Sequence, residues 1–380
     1  MLNVTKILKR AWQILWNYRM LWVFGFILAL TVGAGGNSFS NNNSSRNDRQ
    51  ENGQERPWNL HPSDDWNWEG LKGETPGEKL NEAFRQAGVE IQKLQAKYPV
   101  EFRMGIAVFI TALVMILIFS FIGAILRYIA ETAAIRMVNE YEQSGVKVGF
   151  RQGWQYGWSR EAWRVFLINF VVHIPSLVLF VILGVLGWWI VSAALSGVES
   201  TLVTSLIAGI GLAFVSILIT AVLMVVLYLL RDFAWRMTIL EGTGVLESLR
   251  LATTLVKRNW KSAGLMWLVM IGIKIAWGIA FIILVIPLLI VSIITALGGI
   301  VVAVVPTLLT AGVASLLSAP DYWPWIFALI IGLPFFATVA FSPILLVDGW
   351  AKIYESSTWT LTYRELKALE TVTSTVVEAQ

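Results

Sequence analysis

Two ionisable residues stand inside long apolar stretches of this sequence, where a charge has few partners. His173 lies nine residues after Arg164, and Lys274 lies fourteen residues after Trp260. Fourteen helical residues extend about 21 Å, beyond the midpoint of a membrane core about 30 Å thick. Ionisable groups at such depth usually face a cavity or a partner, so His173 and Lys274 form a candidate intramembrane polar site for an anionic headgroup or solute. Alternatively, Lys274 extends to the interface and His173 makes a structural hydrogen bond.

Acidic residues offer a second chemistry, general acid–base catalysis. The candidates are Glu131, Glu140, Glu142 and Glu161, but arginine and lysine interleave with them, which favours a solvated or headgroup-facing surface. His61 has two aspartates nearby, yet no second histidine and no cysteine accompanies it, so its pattern is weak for a metal site. The sequence therefore predicts no metal, no other cofactor and no enzymatic activity.

The composition identifies the class of protein that carries these residues. Of 380 residues, 56% are hydrophobic and 14% are charged, with a mean hydropathy of +0.66. Soluble domains contain about 45–50% apolar and about 25% charged residues, and several stretches here reach the roughly 20 apolar residues that cross a bilayer. The chain is therefore predicted to be all-α, a polytopic transmembrane helical bundle with interfacial amphipathic helices. The absence of cysteine excludes disulfides and thiolate metal sites.

Hydropathy divides the chain into four regions. Residues 1–19 are predicted to form an amphipathic helix in the membrane interface, and 20–36 the first span, unless a signal peptide is cleaved there. Residues 37–100 are predicted to form an external polar loop, partly disordered, with a helix near 79–97. Residues 101–380 are predicted to form the transmembrane domain, with five further spans, basic cytoplasmic linkers and a cytoplasmic tail.

The longest apolar run, 262–319, is too long for one span and barely long enough for two. We predict one helix from about 261 to 290 that breaks near Pro287, followed by a re-entrant or interfacial element. Two complete spans are the alternative, and they would place the C-terminus outside. The other predicted spans lie at about 104–126, 165–191, 203–230 and 324–347. Together these make six spans, arranged as three hairpins.

Four short amphipathic segments share one pattern, an aromatic residue followed at once by a basic residue. Tryptophan and tyrosine prefer the headgroup level of a membrane, and lysine and arginine mark its cytoplasmic side. Lys and Arg are concentrated in 127–164 and 231–261 and absent from the short links between paired spans, so both termini are predicted to be cytoplasmic. The predicted interfacial anchors are Tyr18 and Arg19, Trp163 and Arg164, Trp260 and Lys261, and Tyr363 and Arg364.

Three segments of the sequence carry a family resemblance. They are Trp-Asn-Tyr-Arg at 16–19, Arg-Asn-Trp-Lys at 258–261 and Thr-Trp-Thr-Leu-Thr-Tyr-Arg-Glu-Leu at 358–366. In these segments the chain resembles uncharacterised bacterial six-span membrane proteins related to the membrane domain of glycerophosphoryl diester phosphodiesterases. The resemblance covers nearly the whole chain except 37–100 and implies a membrane architecture. It implies no activity, because the soluble phosphodiesterase domain and its metal-binding carboxylates are absent.

These observations lead to one expected function and one alternative. We expect a non-enzymatic protein of the bacterial inner membrane that binds membrane lipids, anionic ones above all, through its basic cytoplasmic segments. A protein partner or a second copy of the chain is the other class of partner, and nucleic acid is not expected. The alternative is a transporter or channel for a small solute or lipid, with a cavity near His173 and Lys274.

Overall fold

The computed structural model describes residues 2–33, 76–97, 99–195, 198–316 and 323–378, and every regular element within them is an α-helix. This agrees with the apolar runs and helical periodicity of the sequence. The first five helices are α1 (Val4–Asn17), α2 (Met20–Gly33), α3 (Pro76–Lys97), α4 (Pro99–Ser144) and α5 (Phe150–Gly157). The others are α6 (Arg160–Leu195), α7 (Glu199–Glu241), α8 (Val245–Arg258), α9 (Trp260–Leu316), α10 (Trp323–Ala340) and α11 (Ser342–Glu378). The polar segment 37–75, with His61, lies outside the described residues.

Three helices continue well beyond the spans that hydropathy predicts. α4 contains 46 residues, α7 contains 43 and α9 contains 57. At about 1.5 Å per residue, each is longer than a whole bilayer of roughly 40–45 Å. In α4 and α7 the extra length includes 127–144 and 231–241, where charged and apolar residues alternate at helical spacing. The first part of each predicted linker is therefore a continuation of a long helix.

The predicted break near Pro287 is wrong. α9 is one continuous helix that contains both Pro287 and Pro306. A proline removes one backbone hydrogen bond, but an apolar helix tolerates this loss where a neighbouring helix or side chain covers the backbone. α10 packs antiparallel to α9, with close contacts at Gly299 and Gly332. The described part of α9 therefore does not contain the predicted re-entrant element.

Two sharp bends separate neighbouring helices. α1 and α2 meet at 99° around Tyr18. α10 and α11 meet at 66° at Phe341, inside the predicted last span. The predicted span 324–347 is therefore bent rather than straight.

Four described helices are long and apolar enough to cross a membrane, and the number rises to six if each bent pair is one span. At most 17% of the most apolar window of each of the four is buried. Phe180, Trp188 and Ile293 are examples of side chains that are at least 70% exposed. Apolar surface of this extent is typical of helices that face lipid, so the helices are compatible with a multi-pass membrane protein.

The buried core is built mainly from the amphipathic segments, and α2 and the first turns of α6 and α9 complete it. Contacts divide the described residues into two compact units, and the core cluster lies in the unit made of 2–33, 108–174, 224–316 and 323–378. Lipid tails are as apolar as leucine, so burial of apolar surface does little to associate membrane helices, whereas amphipathic helices must cover one face. Examples of fully buried core residues are Ile14, Ile135, Phe233, Ile353 and Leu366. In the other unit, Gly209 of α7 lies against Ile190 of α6.

Candidate functional site

A cavity of about 180 Å³ lies between α7, α9 and α11, and Lys274 is one of its lining residues. Arg231 and Asp232 of α7 also line it, so a lysine, an arginine and an aspartate meet in one small space. Its other lining residues are Tyr228, Leu229, Trp267, Met270, Ile271 and Trp359. No group of side chains suited to a metal ion occurs among the described residues. The charged groups and aromatic rings make this cavity the candidate functional site.

Lys274 has both a partner and a cavity. Its Nζ lies 2.6 Å from Oε1 of Glu355 on α11. The first turns of α9 are part of the protein core, since Ala263, Met266 and Met270 are buried. Lys274 therefore lies one turn beyond the core, beside the charged segments of α7 and α11. Most of the helix between Trp260 and Lys274 lies in the protein core, so the length of this segment does not measure the depth of Lys274 in the membrane.

Arg231 is held in the cavity wall by aromatic rings. Its guanidinium carbon lies 4.9 Å from the ring centroid of Tyr228 and 4.7 Å from that of Trp235. Its Nη2 lies 3.3 Å from the Asp232 carboxylate. Cation–π contacts of this kind contribute about 0.5–2 kcal/mol, more where water is excluded. The rings therefore fix the position of the guanidinium charge at the cavity.

Arg236, one turn further along α7, is buried and joins three helices. Only 2% of it is exposed. Its Nη1 donates a hydrogen bond to the carbonyl oxygen of Asp232 at 2.6 Å, and its Nη2 donates to that of Ser356 at 3.2 Å. The Ser356 hydroxyl donates in turn to Oε1 of Glu131 at 2.8 Å. A buried charge is costly unless it is paired and hydrogen-bonded. The contacts of Arg236 meet this need, and together they link α4, α7 and α11.

A repeated sequence pattern contains the signal for this role. Segments 126–137 and 230–240 both carry Leu-Arg and, later, Arg-Met, and the second arginine of each lies between apolar residues. The arginine of the first segment, Arg136, donates to the carbonyl oxygen of Ile239 and lies 3.4 Å from Glu161. The pattern therefore marks arginines that enter helix–helix contacts, which hydropathy alone did not reveal.

His173 does not line the cavity that contains Lys274. Its Nδ1 lies 2.7 Å from the carbonyl oxygen of Asn169, one turn earlier in α6. Its ring meets Tyr228 edge-on, with the centroids 5.8 Å apart. Tyr228 thus contacts His173 and also lines the charged cavity. The two predicted polar residues have this neighbour in common but do not share a cavity among the described residues.

The four glutamates considered for acid–base chemistry have separate partners. Glu142 pairs with Arg10 at 2.7 Å, Glu161 lies near Arg136, and Glu131 accepts from Ser356. Glu140 accepts a hydrogen bond from Tyr156, and this contact is the main reason why the pKa of Tyr156 is raised. Among the described residues these glutamates therefore do not pair with one another.

The predicted anchors divide into exposed tryptophans and buried tyrosines. Trp163 is 61% exposed and Trp260 is 65% exposed, so both rings are available to a membrane surface. Tyr18 and Tyr363 are 1% and 3% exposed. Because their rings are surrounded by protein, these two tyrosines are core residues.

The buried tyrosines use their hydroxyl groups to connect helices. The Tyr18 hydroxyl donates to the carbonyl oxygen of Val148 at 2.7 Å. Burial raises the pKa of Tyr18 to about 12, so the phenol stays neutral and remains a donor. Tyr363 donates to the carboxylate of Glu241, which also pairs with Lys367.

The basic members of the anchor pairs also differ in their surroundings. Arg164 donates to the carbonyl oxygens of Gly242 at 2.6 Å and Thr243 at 3.3 Å, just after the end of α7. Arg364 donates to the carbonyl and side-chain oxygens of Asn139. In contrast, Arg19 and Lys261 are exposed, and the ammonium of Lys261 lies 5.8 Å from the Trp260 ring centroid.

Comparisons with known proteins identify a family but no characterised relative. No curated protein and no solved structure matches the chain. One family matches over residues 4–357, a range that includes Lys274, Arg236 and Glu355. The match thus covers α1 to α10, the first part of α11 and all residues of the charged cavity except Trp359. The chain belongs to DUF7544, a family of unknown function.

Proposed function

We propose that this protein is a non-enzymatic, multi-pass protein of the bacterial inner membrane that binds anionic lipid at its cytoplasmic surface. Both termini lie in the cytoplasm in this proposal, because the basic segments mark that side. The resemblance to the membrane domain of glycerophosphoryl diester phosphodiesterases remains a prediction about architecture. The supporting observation is that exposed bases stand beside exposed tryptophans at the beginnings of apolar helices, namely Arg160 with Trp163 and Lys261 with Trp260.

The surroundings of four basic residues indicate which of them are available to lipid. Arg164 donates to backbone carbonyls, and Arg258 lies 3.8 Å from Glu370. Arg160 and Lys261 are exposed and form no ion pair with any residue that the structure describes. Each base near an anionic surface contributes about 1 kcal/mol to binding. Arg160 and Lys261 should therefore contribute most of the lipid attraction among these four.

The experiment neutralises the two free bases together. We expect the double variant Arg160→Gln and Lys261→Gln to retain less phosphatidylglycerol during purification in mild detergent, with phosphatidylethanolamine unchanged. The expected loss corresponds to about 2 kcal/mol at low salt, because two surface charges are removed, and raised salt should reduce the difference. Bound phospholipid per protein is the measured quantity.

The matched control neutralises the two engaged arginines, with Arg164→Gln and Arg258→Gln. This variant should keep most of the bound phosphatidylglycerol, because its charges already interact with protein groups. If the double variant Arg160→Gln and Lys261→Gln retains as much phosphatidylglycerol as the wild type, the proposed function is rejected.

A transport function is the second candidate, and the charged cavity with Lys274 is the observation that favours it. A transport path must be reachable by water from both sides of the membrane. If this function is correct, a small water-soluble thiol reagent should modify the Lys274→Cys variant from either side, with no background because the chain contains no cysteine. Ile275→Cys is the control, since this apolar neighbour is exposed where lipid would cover it. Modification from one side only would reject transport through this cavity.

A further inference from the structure

We propose that the groove between α4 and α6 holds one acyl chain of a membrane phospholipid, with the lipid phosphate bound by Arg160. This inference rests on the proposed lipid-binding function and assigns it a defined site. The groove has a volume of about 510 Å³, within the range of about 300–1,000 Å³ that is usual for sites of small molecules.

Two helix faces form the walls of the groove. Phe121, Ile125 and Tyr128 line it from α4 at spacings of four and three residues, so they share one helix face. Trp163 and Phe166 line it from α6, with their rings stacked 4.9 Å apart. The Tyr128 ring meets Phe166 edge-on at 5.5 Å. These rings make a wall that is apolar and fixed by mutual contacts.

The groove combines a tight backbone contact with exposed apolar side chains. Gly157 lies directly against the backbone of Ile129, where any larger side chain would collide. Phe121 is 67% exposed on the apolar part of α4, and Trp163 is 61% exposed at the start of α6. The groove is therefore continuous with an exposed apolar helix surface, and an exposed tryptophan of the kind preferred at membrane interfaces stands beside it.

Charge and polarity select a phospholipid as the occupant. Arg160 lines the groove, is exposed and forms no ion pair with the described residues, so its guanidinium can hold a phosphate. The Tyr128 hydroxyl already accepts a hydrogen bond from Asn169. A peptide segment would bring backbone N–H and C=O groups that these apolar walls cannot satisfy. An acyl chain brings no such groups, and its phosphate meets the one free cation among the described lining residues.

The test counts tightly held lipid by native mass spectrometry of the full chain, in detergent concentrations that remove loosely bound lipid. We expect one phosphatidylglycerol to remain on the wild type. Ala124→Trp fills the groove and should reduce the lipid-bound fraction about tenfold, because a bulky ring occupies the volume of the chain. Ile116→Trp is the matched control, since Ile116 is on α4 and 64% exposed but does not line the groove; it should retain the lipid.

Surface variants test the phosphate contact without disturbing packing. Arg160→Gln should lower retention of phosphatidylglycerol about fivefold, the equivalent of about 1 kcal/mol for one base, and leave retention of diacylglycerol unchanged. Lys261→Gln is the control. It removes a similar exposed cation beside a tryptophan, but Lys261 does not line the groove, so the tightly held lipid should remain. A folded Ala124→Trp variant that keeps its lipid would overturn the site. An equal effect of Arg160→Gln on diacylglycerol would overturn the phosphate contact.

The two proposals fail in different ways. If the Arg160 and Lys261 double variant loses loosely bound anionic lipid but Ala124→Trp keeps its tight lipid, the groove is wrong and the surface function stands. If Ala124→Trp loses its tight lipid but the double variant retains total anionic lipid, the proposed surface function is wrong and only an acyl-chain site remains. A retained free fatty acid or protein segment in place of phospholipid would also overturn the proposed occupant.

Discussion

Replacing Arg236 with methionine should lower the free energy of unfolding by about 3–5 kcal/mol, the usual cost of removing one partner of a buried charge network. Methionine fills much of the same volume, so the loss would come from charge and hydrogen bonding rather than from a cavity. Asp232 and Glu131 would lose the buried guanidinium that interacts with both. Chemical unfolding in a fixed detergent, followed by tryptophan fluorescence, measures the change.

Two further variants separate the role of the charge network from a general effect of mutation. Arg160→Gln removes an exposed arginine and should change stability by less than about 0.5 kcal/mol. Adding Glu131→Gln to Arg236→Met should recover part of the lost stability, because an uncompensated carboxylate is then neutral. If Arg236→Met unfolds at the same denaturant concentration as wild type, Arg236 is not the group that holds α4, α7 and α11 together.

The contact between Gly25 and Gly349 should be the second most sensitive point in the fold. These glycines are buried where α2 and α11 cross. A Cβ atom on Gly25 would lie 2.5 Å from the carbonyl oxygen of Gly349. The backbones of α2 and α11 can therefore approach this closely only because neither residue has a side chain. We expect Gly349→Leu to cost about 3 kcal/mol, since overpacking commonly costs about 1–3 and two backbones must separate here.

A leucine at an open glycine provides the control for this prediction. Nothing lies within 4 Å of a Cβ atom built on Gly278 of α9, so Gly278→Leu should leave the unfolding temperature nearly unchanged. Gly25→Ala, the smallest possible change, should already lower it. Equal unfolding temperatures for Gly349→Leu and Gly278→Leu would show that the close approach of α2 and α11 does not limit stability.

Local pattern was sufficient for the class of protein and for several elements. The composition and the long apolar runs predict membrane helices, and the described structure is helical throughout its regular elements. The spacing of Val4, Ile7, Leu8, Trp12, Leu15 and Trp16 predicts the amphipathic helix α1. Its buried residues are Ile7, Ala11, Ile14 and Leu15, whereas Trp12 and Trp16 are exposed. The tryptophans expected at the surface are exposed at 163 and 260. Each of these features depends on residues within a few turns of one another.

Long-range contacts decided the features that local pattern could not distinguish. Tyr18 and Trp163 are both aromatic residues followed by a base, yet Tyr18 is buried and Trp163 is exposed. The Tyr18 hydroxyl donates a hydrogen bond to the carbonyl oxygen of Val148, 130 residues away. The helix α9 also continues through Pro287, although a proline in an apolar run predicts a break when only the local sequence is considered.

The charged cavity shows most clearly what required the tertiary structure. The sequence by itself determined that Lys274 is an isolated charge in an apolar run, and that such a charge needs a partner or a cavity. Only the fold determined that the partner is Glu355 and that Arg231 and Asp232 lie beside it. The physical reason is that hydropathy and periodicity are sums over neighbouring residues, whereas an ion pair depends on which helices pack together. In this protein the core joins the amphipathic parts of α7 and α11 to the first turns of α9, and this packing brings the three helices to one place.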